Sequence, residues 1–522
     1  MDGSTQPSPA VGISFSASPA KLAVAFLVAL ALVSIPVFST VLPPLADYPN
    51  HLARMYLLAM DGASGVLNAF YAVTWHPLPN LAMDLLVPPL SKIMPLALAG
   101  QFFLVAVFAL TTAGALCLNR VLFGSWSFWP LLSFLLLYNR IFLWGFVNYL
   151  FGAGLAIGGL ALWIGLRPRP WLRIPLSVAI CLAVFFSHIA AFGVYAAAVA
   201  GAELATALPA LRRGEFGRVL RQILHAAPQF VAPIAIFVLS WQPAAGGTLD
   251  YSGYWRKILW LFTIFNNYNL AIDAVSFVVF IGGLAYLVAT RQLRIAREIG
   301  WALVLLVLCY LALPFEGLTG SGLDNRLPVI MFVLAISGSL PVLRWRAAAS
   351  LLAGIAVVLF LGRLALVERA WLAADAVYTS DLSILDRVAP DSRLAVAYPH
   401  GGPPFIAIPE THLPNLAIIR RNAFVQSLFA FAAQQPIALV PPYDGVAAAA
   451  TPNALWDVLV DHANLDRSKV LAALDRFDAV IFVNRSPGTS VDLACLSPVA
   501  RSGTVELWTI NRGAGGKGSC GG

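Results

Sequence analysis

Apolar residues run along most of this chain in long blocks, with polar and basic residues gathered in short clusters between them. A helix that crosses a bilayer needs about 20 mostly apolar residues in a row. By that measure spans are expected at 22–42, 96–118, 125–138, 143–166, 227–241, 270–290, 299–314, 327–342 and 347–366. The run 174–207 is too long for one helix and folds into a tight pair. The total is about eleven spans.

The basic clusters set the direction of the thread. Arg120, the group Arg167, Arg169 and Arg173, the group Arg212, Arg213, Arg218 and Arg221, the group Arg291, Arg294 and Arg297, and the pair Arg344 and Arg346 all fall on one side. Short loops rich in Lys and Arg stay in the cytoplasm, so that side is cytoplasmic and the N-terminus lies there too. Three long segments are then outside: 43–95, 242–269 and everything after 367.

Beyond 366 the pattern changes. Residues 393–399 (RLAVAYP), 478–484 (DAVIFVN) and 504–511 (TVELWTIN) are β-branched or aromatic runs bounded by turn residues, and 455–474 reads as one or two helices around Asn464. The expected fold is an α-helical polytopic membrane protein with a small C-terminal α/β domain outside the cytoplasm. Its parts are a disordered Ser/Pro-rich N-terminus (1–21), a membrane domain (22–366) with a long first outer loop (43–95), a periplasmic α/β domain (367–512) and a flexible Gly-rich tail (513–522). The apolar run opening at Lys21 is too long for the core of a signal peptide and is kept as the first span.

Composition agrees. The 522 residues are 59% hydrophobic and 11% charged, against about 25% charged in soluble globular proteins. No soluble core of this size hides so much apolar surface, which excludes a cytosolic enzyme. The 33 Lys and Arg against 25 Asp and Glu give a net charge of +8. Because the arginines sit in short loops, this excess reads as membrane topology, and no nucleic-acid partner is expected. Cys117, Cys181 and Cys309 fall inside apolar runs, whereas Cys495 and Cys520 would meet an oxidising compartment and can pair. There is no P-loop, GxGxxG, HExxH or GxSxG motif. ATP-driven transport by this chain alone is therefore not expected, and neither a cofactor nor a bound metal is predicted.

The sharpest constellation is Asp47, His51 and Arg54 in the phrase PPLADYPNHLAR. With the chain turning helical after Pro49, His51 and Arg54 share a face and Asp47 stands just before the helix. A carboxylate there either caps the helix or acts on a hydroxyl near the membrane surface. Asp84 lies in an apolar stretch, where a charge is a functional candidate or a solvated loop residue. His76 is structural or part of acceptor binding. Arg140 and Asn148 flank Trp144 at an outer membrane edge, where a fixed cation holds a phosphate or an arginine snorkels among aromatics. His188 lies at the outer turn of the paired spans. Asp324 and Arg326 open span 327–342 from outside, where Arg326 meets an anionic headgroup through its planar fork of donors.

These features together resemble the GT-C superfamily of polytopic glycosyltransferases, which includes protein O-mannosyltransferases and the aminoarabinose transferases of lipid A. The likeness lies in about eleven spans, an acidic residue soon after the first span, arginines at outer edges and a soluble C-terminal domain on the same side. The resemblance implies that Asp47 is the catalytic carboxylate, with His51 beside it, and that the donor is a polyprenyl-phosphate sugar. Arg54, His76, Asp84, Arg140, Asn148, His188, Asp324 and Arg326 are then the candidate substrate-binding residues. Many members carry Asp-Glu where this chain has Asp47 followed by Tyr48, and the base assignment stays open on that point. The function implied is transfer of a sugar to a glycan, lipid or protein acceptor at the outer face of a bacterial inner membrane, with inversion. Other readings are a flippase or transporter of lipid-linked sugars, which predicts charges at mid-membrane depth, and a polymerase or ligase of lipid-linked glycans.

Overall fold

The computed structural model describes residues 13–61, 65–240, 249–251, 253–317, 320–400, 409–461, 467–491, 493–511 and 520. The expected disorder of 1–12 and the flexible tail, Cys520 apart, lie outside the described residues. The chain divides into two units.

The first unit comprises 1–35, 105–141 and 148–367. Among the described residues of the whole chain, seven helices are long and apolar enough to cross a membrane: Pro19–Ser39, Leu96–Phe123, Val147–Gly165, Pro170–Ser187, Ile189–Arg212, Leu270–Ala289 and Arg346–Leu385. The pair Phe216–Ala226 and Pro228–Ser240, bent by 52°, is apolar enough to be either a broken eighth span or a re-entrant loop. The other three expected spans are shorter. Residues 125–138 hold a 3₁₀ helix, Trp129–Leu136, with Pro130 in its first turn. Residues 299–314 correspond to Arg297–Ala312, and 327–342 to Leu327–Ser337. An eleven-residue helix such as Leu327–Ser337 rises roughly 16 Å, about half the hydrocarbon core. It stops at Gly338, and the chain goes on as strand Ser339–Leu343.

That strand corrects the reading of 1–21 as disordered throughout. Ile13 and Ser14 pair antiparallel with Leu343 and Val342, and Leu293–Ile295 pairs with the same strand. Main-chain hydrogen bonds order an edge segment whatever its Ser/Pro content.

The expected tight pair, 174–207, is Pro170–Ser187 and Ile189–Arg212 joined at His188. The extended backbone of His188 breaks the helix, and its Nδ1 accepts the Ala190 N–H at 3.0 Å as a cap. Gly201 packs against the backbone of Ala302 with no room for a Cβ, the small-residue contact that lets membrane helices approach closely. Arg173 donates to Trp163 O and Glu203 Oε1, both at 2.8 Å, and Arg167 pairs with Glu298 at 3.1 Å. Arg167 and Arg173 are thus held by acidic partners and carbonyls.

The second unit comprises 36–104, 142–147 and 368–522. It unites the first loop with the C-terminal segment. Its sheet has the spatial order Leu496–Ser502, Val505–Ile510, Ala479–Val483, Arg393–Ala397, Phe424–Val425. The central strand Ala479–Val483 runs parallel to Arg393–Ala397 and antiparallel to Val505–Ile510. Every residue of Ala479–Val483 is buried, as an apolar run covered on both faces requires. Helices Pro452–Leu459 and Arg467–Leu474 are the pair expected in 455–474, with Asn464 outside the described residues. Cys495 and Cys520 form a disulfide.

Within this unit the helix Tyr48–Ala59 packs on Ala82–Leu90 and on the 3₁₀ helix Pro409–Leu416. Strand Tyr71–Val73 of the first loop pairs with Ile437–Leu439. The Tyr71 hydroxyl donates to Val425 O and accepts from Val425 N–H, each at 2.9 Å.

Candidate functional site

Asp47 is the N-cap residue of Tyr48–Ala59, with Pro49 in the first turn. Proline is favoured there because its missing N–H would have no helical partner. The strip 142–147 fixes the approach to this helix. Ala46 N–H donates to Leu143 O at 3.0 Å and Asp47 N–H to Trp144 O at 3.1 Å. Gly145 crosses beside Asp47 with φ of 95°, a region side chains resist. A Cβ at Gly145 would stand 2.8 Å from Asp47 Cβ. Glycine is what lets the two backbones meet.

The Asp47 carboxylate makes no capping hydrogen bond to its helix. Its Oδ1 instead lies 3.5 Å from His412 Nε2, with the two side chains 18% and 9% exposed. The His412 ring meets Phe429 edge-on, centroids 4.9 Å apart, and Tyr398 edge-on at 6.2 Å. Asn50, in the first turn of the helix, accepts the Phe429 N–H at Oδ1 (2.9 Å). That bond fixes the amide's direction. Its Nδ2 then donates to Ser427 O at 3.4 Å and faces His412 Nδ1 at 3.5 Å.

His51 turns the other way and donates from Nε2 to Gly145 O at 3.0 Å. Its Nδ1 is buried and has no hydrogen-bond partner among the described residues. Burial, helped by the nearby Arg54 charge, pushes the His51 pKa down to about 3. Burial pushes that of His412 down to about 4. Both rings are therefore neutral near pH 7. Tyr398 is pushed up to about 12 by burial and by the charge of Asp47.

Arg54 and Asp84, expected to meet substrate, meet each other. Arg54 Nε and Nη2 donate to the two carboxylate oxygens at 2.7 and 3.0 Å, and both side chains are wholly buried. A bidentate pair closed to solvent holds the helix Tyr48–Ala59 to Ala82–Leu90. His76 also has protein partners, Thr74 O at 3.0 Å from Nδ1 and Ala432 O at 2.8 Å from Nε2.

The remaining candidates belong to the first unit. Arg140 is buried and donates from Nε and Nη2 to Asn266 Oδ1, the Nε bond measuring 2.8 Å. Asn148 is buried in the first turn of Val147–Gly165. Asp324 accepts from Lys257 at 2.7 Å. Lys257 gives its other two protons to Tyr310 O and Leu313 O at 2.9 and 2.7 Å, so all three ammonium donors are used. Arg326 donates to Ser321 O at 3.0 Å and stands 3.2 Å from His188 Nε2, while Tyr149 donates to Arg326 O at 2.8 Å. Among the described residues no group of three or more His, Cys, Asp or Glu side chains is placed to hold a metal ion.

No family model matches this sequence, and no curated protein matches it. Among solved structures, ArnT from Cupriavidus metallidurans bound to undecaprenyl phosphate aligns at a TM-score of 0.54 and 12% identity, covering 94% of this chain and 98% of that one. The chain shares the backbone fold of that protein. At that identity the likeness is one of backbone path, and the site rests on the residues above. Three residues that surround Asp47 escaped the sequence reading: His412, Asn50 and Gly145. Asn50 lies inside the phrase that drew attention to Asp47. His412 and Gly145 reach the site only through folding.

Proposed function

We propose that this chain is a membrane glycosyltransferase that moves a sugar from a polyprenyl phosphate to an acceptor at the outer membrane face. One observation carries the reading: the Asp47 carboxylate stands at a helix start without capping it and faces a neutral histidine. Asp47 is the general base. It takes the proton of the acceptor hydroxyl as that oxygen attacks the anomeric carbon. The bond from that carbon to the phosphate oxygen breaks on the opposite face, so the configuration inverts and the polyprenyl phosphate leaves. A carboxylate suits this because its basicity is needed only as the hydroxyl acquires negative charge in the transition state. An arginine suits the neutralisation of the leaving phosphate, because a guanidinium fork matches a phosphate. The solved structure similar in fold was bound to undecaprenyl phosphate, which supports a donor of this class.

The test uses purified full-length protein, a panel of undecaprenyl-phosphate-linked hexoses and pentoses, and a membrane extract as acceptor source. Release of undecaprenyl phosphate with the sugar appearing on a new molecule is expected for one donor. Movement of intact donor across a vesicle membrane, with no bond broken, would establish the transporter reading instead. Failure of every donor to react would contradict the enzyme.

A further inference from the structure

His412 stands where it can control the carboxylate, and the hydrogen bonds around it decide which nitrogen carries its proton. The Phe429 N–H binds Asn50 Oδ1 at 2.9 Å, so the amide presents NH₂ to the histidine. An NH₂ group offers only donors. His412 Nδ1 must therefore be the acceptor, and a neutral ring with Nδ1 unprotonated carries its hydrogen on Nε2. Nε2 is the atom 3.5 Å from Asp47 Oδ1.

We infer that His412 is a positioning residue for the reaction, holding the Asp47 carboxylate at Oδ1 through an Nε2–H donor whose tautomer Asn50 sets. The inference rests on the general-base reading of Asp47. The 3.5 Å separation is longer than a closed hydrogen bond, and catalytic hydrogen bonds commonly tighten only when substrate binds. The aromatic rings of Phe429 and Tyr398 keep the imidazole from turning away. A neutral donor is suited to this task because a fixed positive charge beside Asp47 would weaken it as a base. No proton leaves His412 in the step: Asp47 takes the acceptor's proton, and the histidine keeps its own.

Two measurements test this. The first needs no substrate. Full-length protein labelled with ¹⁵N-histidine, with His412→Gln identifying the signals by their loss, is expected to show His412 as the neutral Nε2–H tautomer. Asn50→Asp keeps an acceptor for the Phe429 N–H but sets a carboxylate against Nδ1. It should convert His412 to the imidazolium or Nδ1–H form. An Nδ1–H tautomer in the unaltered protein, or no change in Asn50→Asp, would overturn the proposal.

The second measurement is turnover with the donor found active in the transfer assay. His412→Phe keeps a ring but removes the donor, and kcat should fall about tenfold, the worth of one hydrogen bond to a charged group. KM for the donor should stay within about twofold. His412→Gln, whose amide restores an N–H, should recover most of the loss. Equal losses in both variants with KM rising would mean packing alone, and unchanged kcat in His412→Phe would remove His412 from the reaction. If His412→Phe does not fold, His412→Gln and Asn50→Asp carry the test. Failure of the parent reading looks different: Asp47→Asn would then turn over normally while the His412 spectrum stayed as expected.

Discussion

Arg54 and Asp84 join two helices of the second unit through parallel hydrogen bonds of 2.7 and 3.0 Å, with neither side chain reaching solvent. Taking one partner away leaves an uncompensated buried charge. Arg54→Met or Asp84→Leu alone should cost about 3–5 kcal/mol of stability, whereas the two together should be close to neutral. Thermal unfolding of the two single variants and the double variant in detergent checks this. Additive losses would mean that the pair is not a unit.

Gly145→Ala should damage the site without touching a polar group. The residue has φ of 95°, and its new Cβ would stand 2.8 Å from Asp47 Cβ. Something must shift, and Asp47 with its backbone bond to Trp144 is what lies in the way. A misplacement on the order of 1 Å can cost about a hundredfold in rate. Transfer rates of folded Gly145→Ala within about twofold of wild type would remove this constraint from the account.

Acid should loosen the second unit. His51 is held at about 3 and His412 at about 4 by burial, below the unfolded value near 6.5. Between these values the unfolded chain binds more protons than the folded one. Stability therefore rises with pH in that window and is lost as pH falls below about 6.5, at up to roughly 1.4 kcal/mol per unit for each histidine. Melting curves at pH 7 and pH 5 should show the drop, and His51→Gln with His412→Gln should flatten it. An equal drop in that double variant would place the acid sensitivity elsewhere.

Cys495 and Cys520 close a loop with a sequence separation of 25 residues. By loop entropy the bridge stabilises the folded form by about 3 kcal/mol. Replacing both cysteines with serine should lower the melting temperature of the purified protein. Labelling of both thiols in unreduced protein would show the bridge to be absent.

The membrane helices were legible because each is its own signal: an apolar run of sufficient length reports a span without reference to anything distant. The three C-terminal strands were legible for a similar reason, since Ala479–Val483 and its neighbours are β-branched runs ended by turn residues. Strand Ile13–Ser14 was not, because its order comes from pairing with Leu343 and Val342 rather than from its own residues. In the same way Asp47 could be picked from its position after the first span. Its surroundings could not, because His412 and Gly145 meet it from segments remote in sequence. Arg54 and Asp84 drew attention as charges in apolar context. Local sequence cannot show that two such charges neutralise each other.

The measurement that bears most directly on the account is turnover of Asp47→Asn in the transfer assay, with thermal stability followed in parallel. Asn keeps the shape of the side chain and is as good an N-cap as Asp, but it cannot take a proton. If Asp47 is the general base, turnover falls by about 10²–10⁴, with melting temperature and undecaprenyl phosphate binding little changed. Full turnover in a folded Asp47→Asn protein would contradict the central claim.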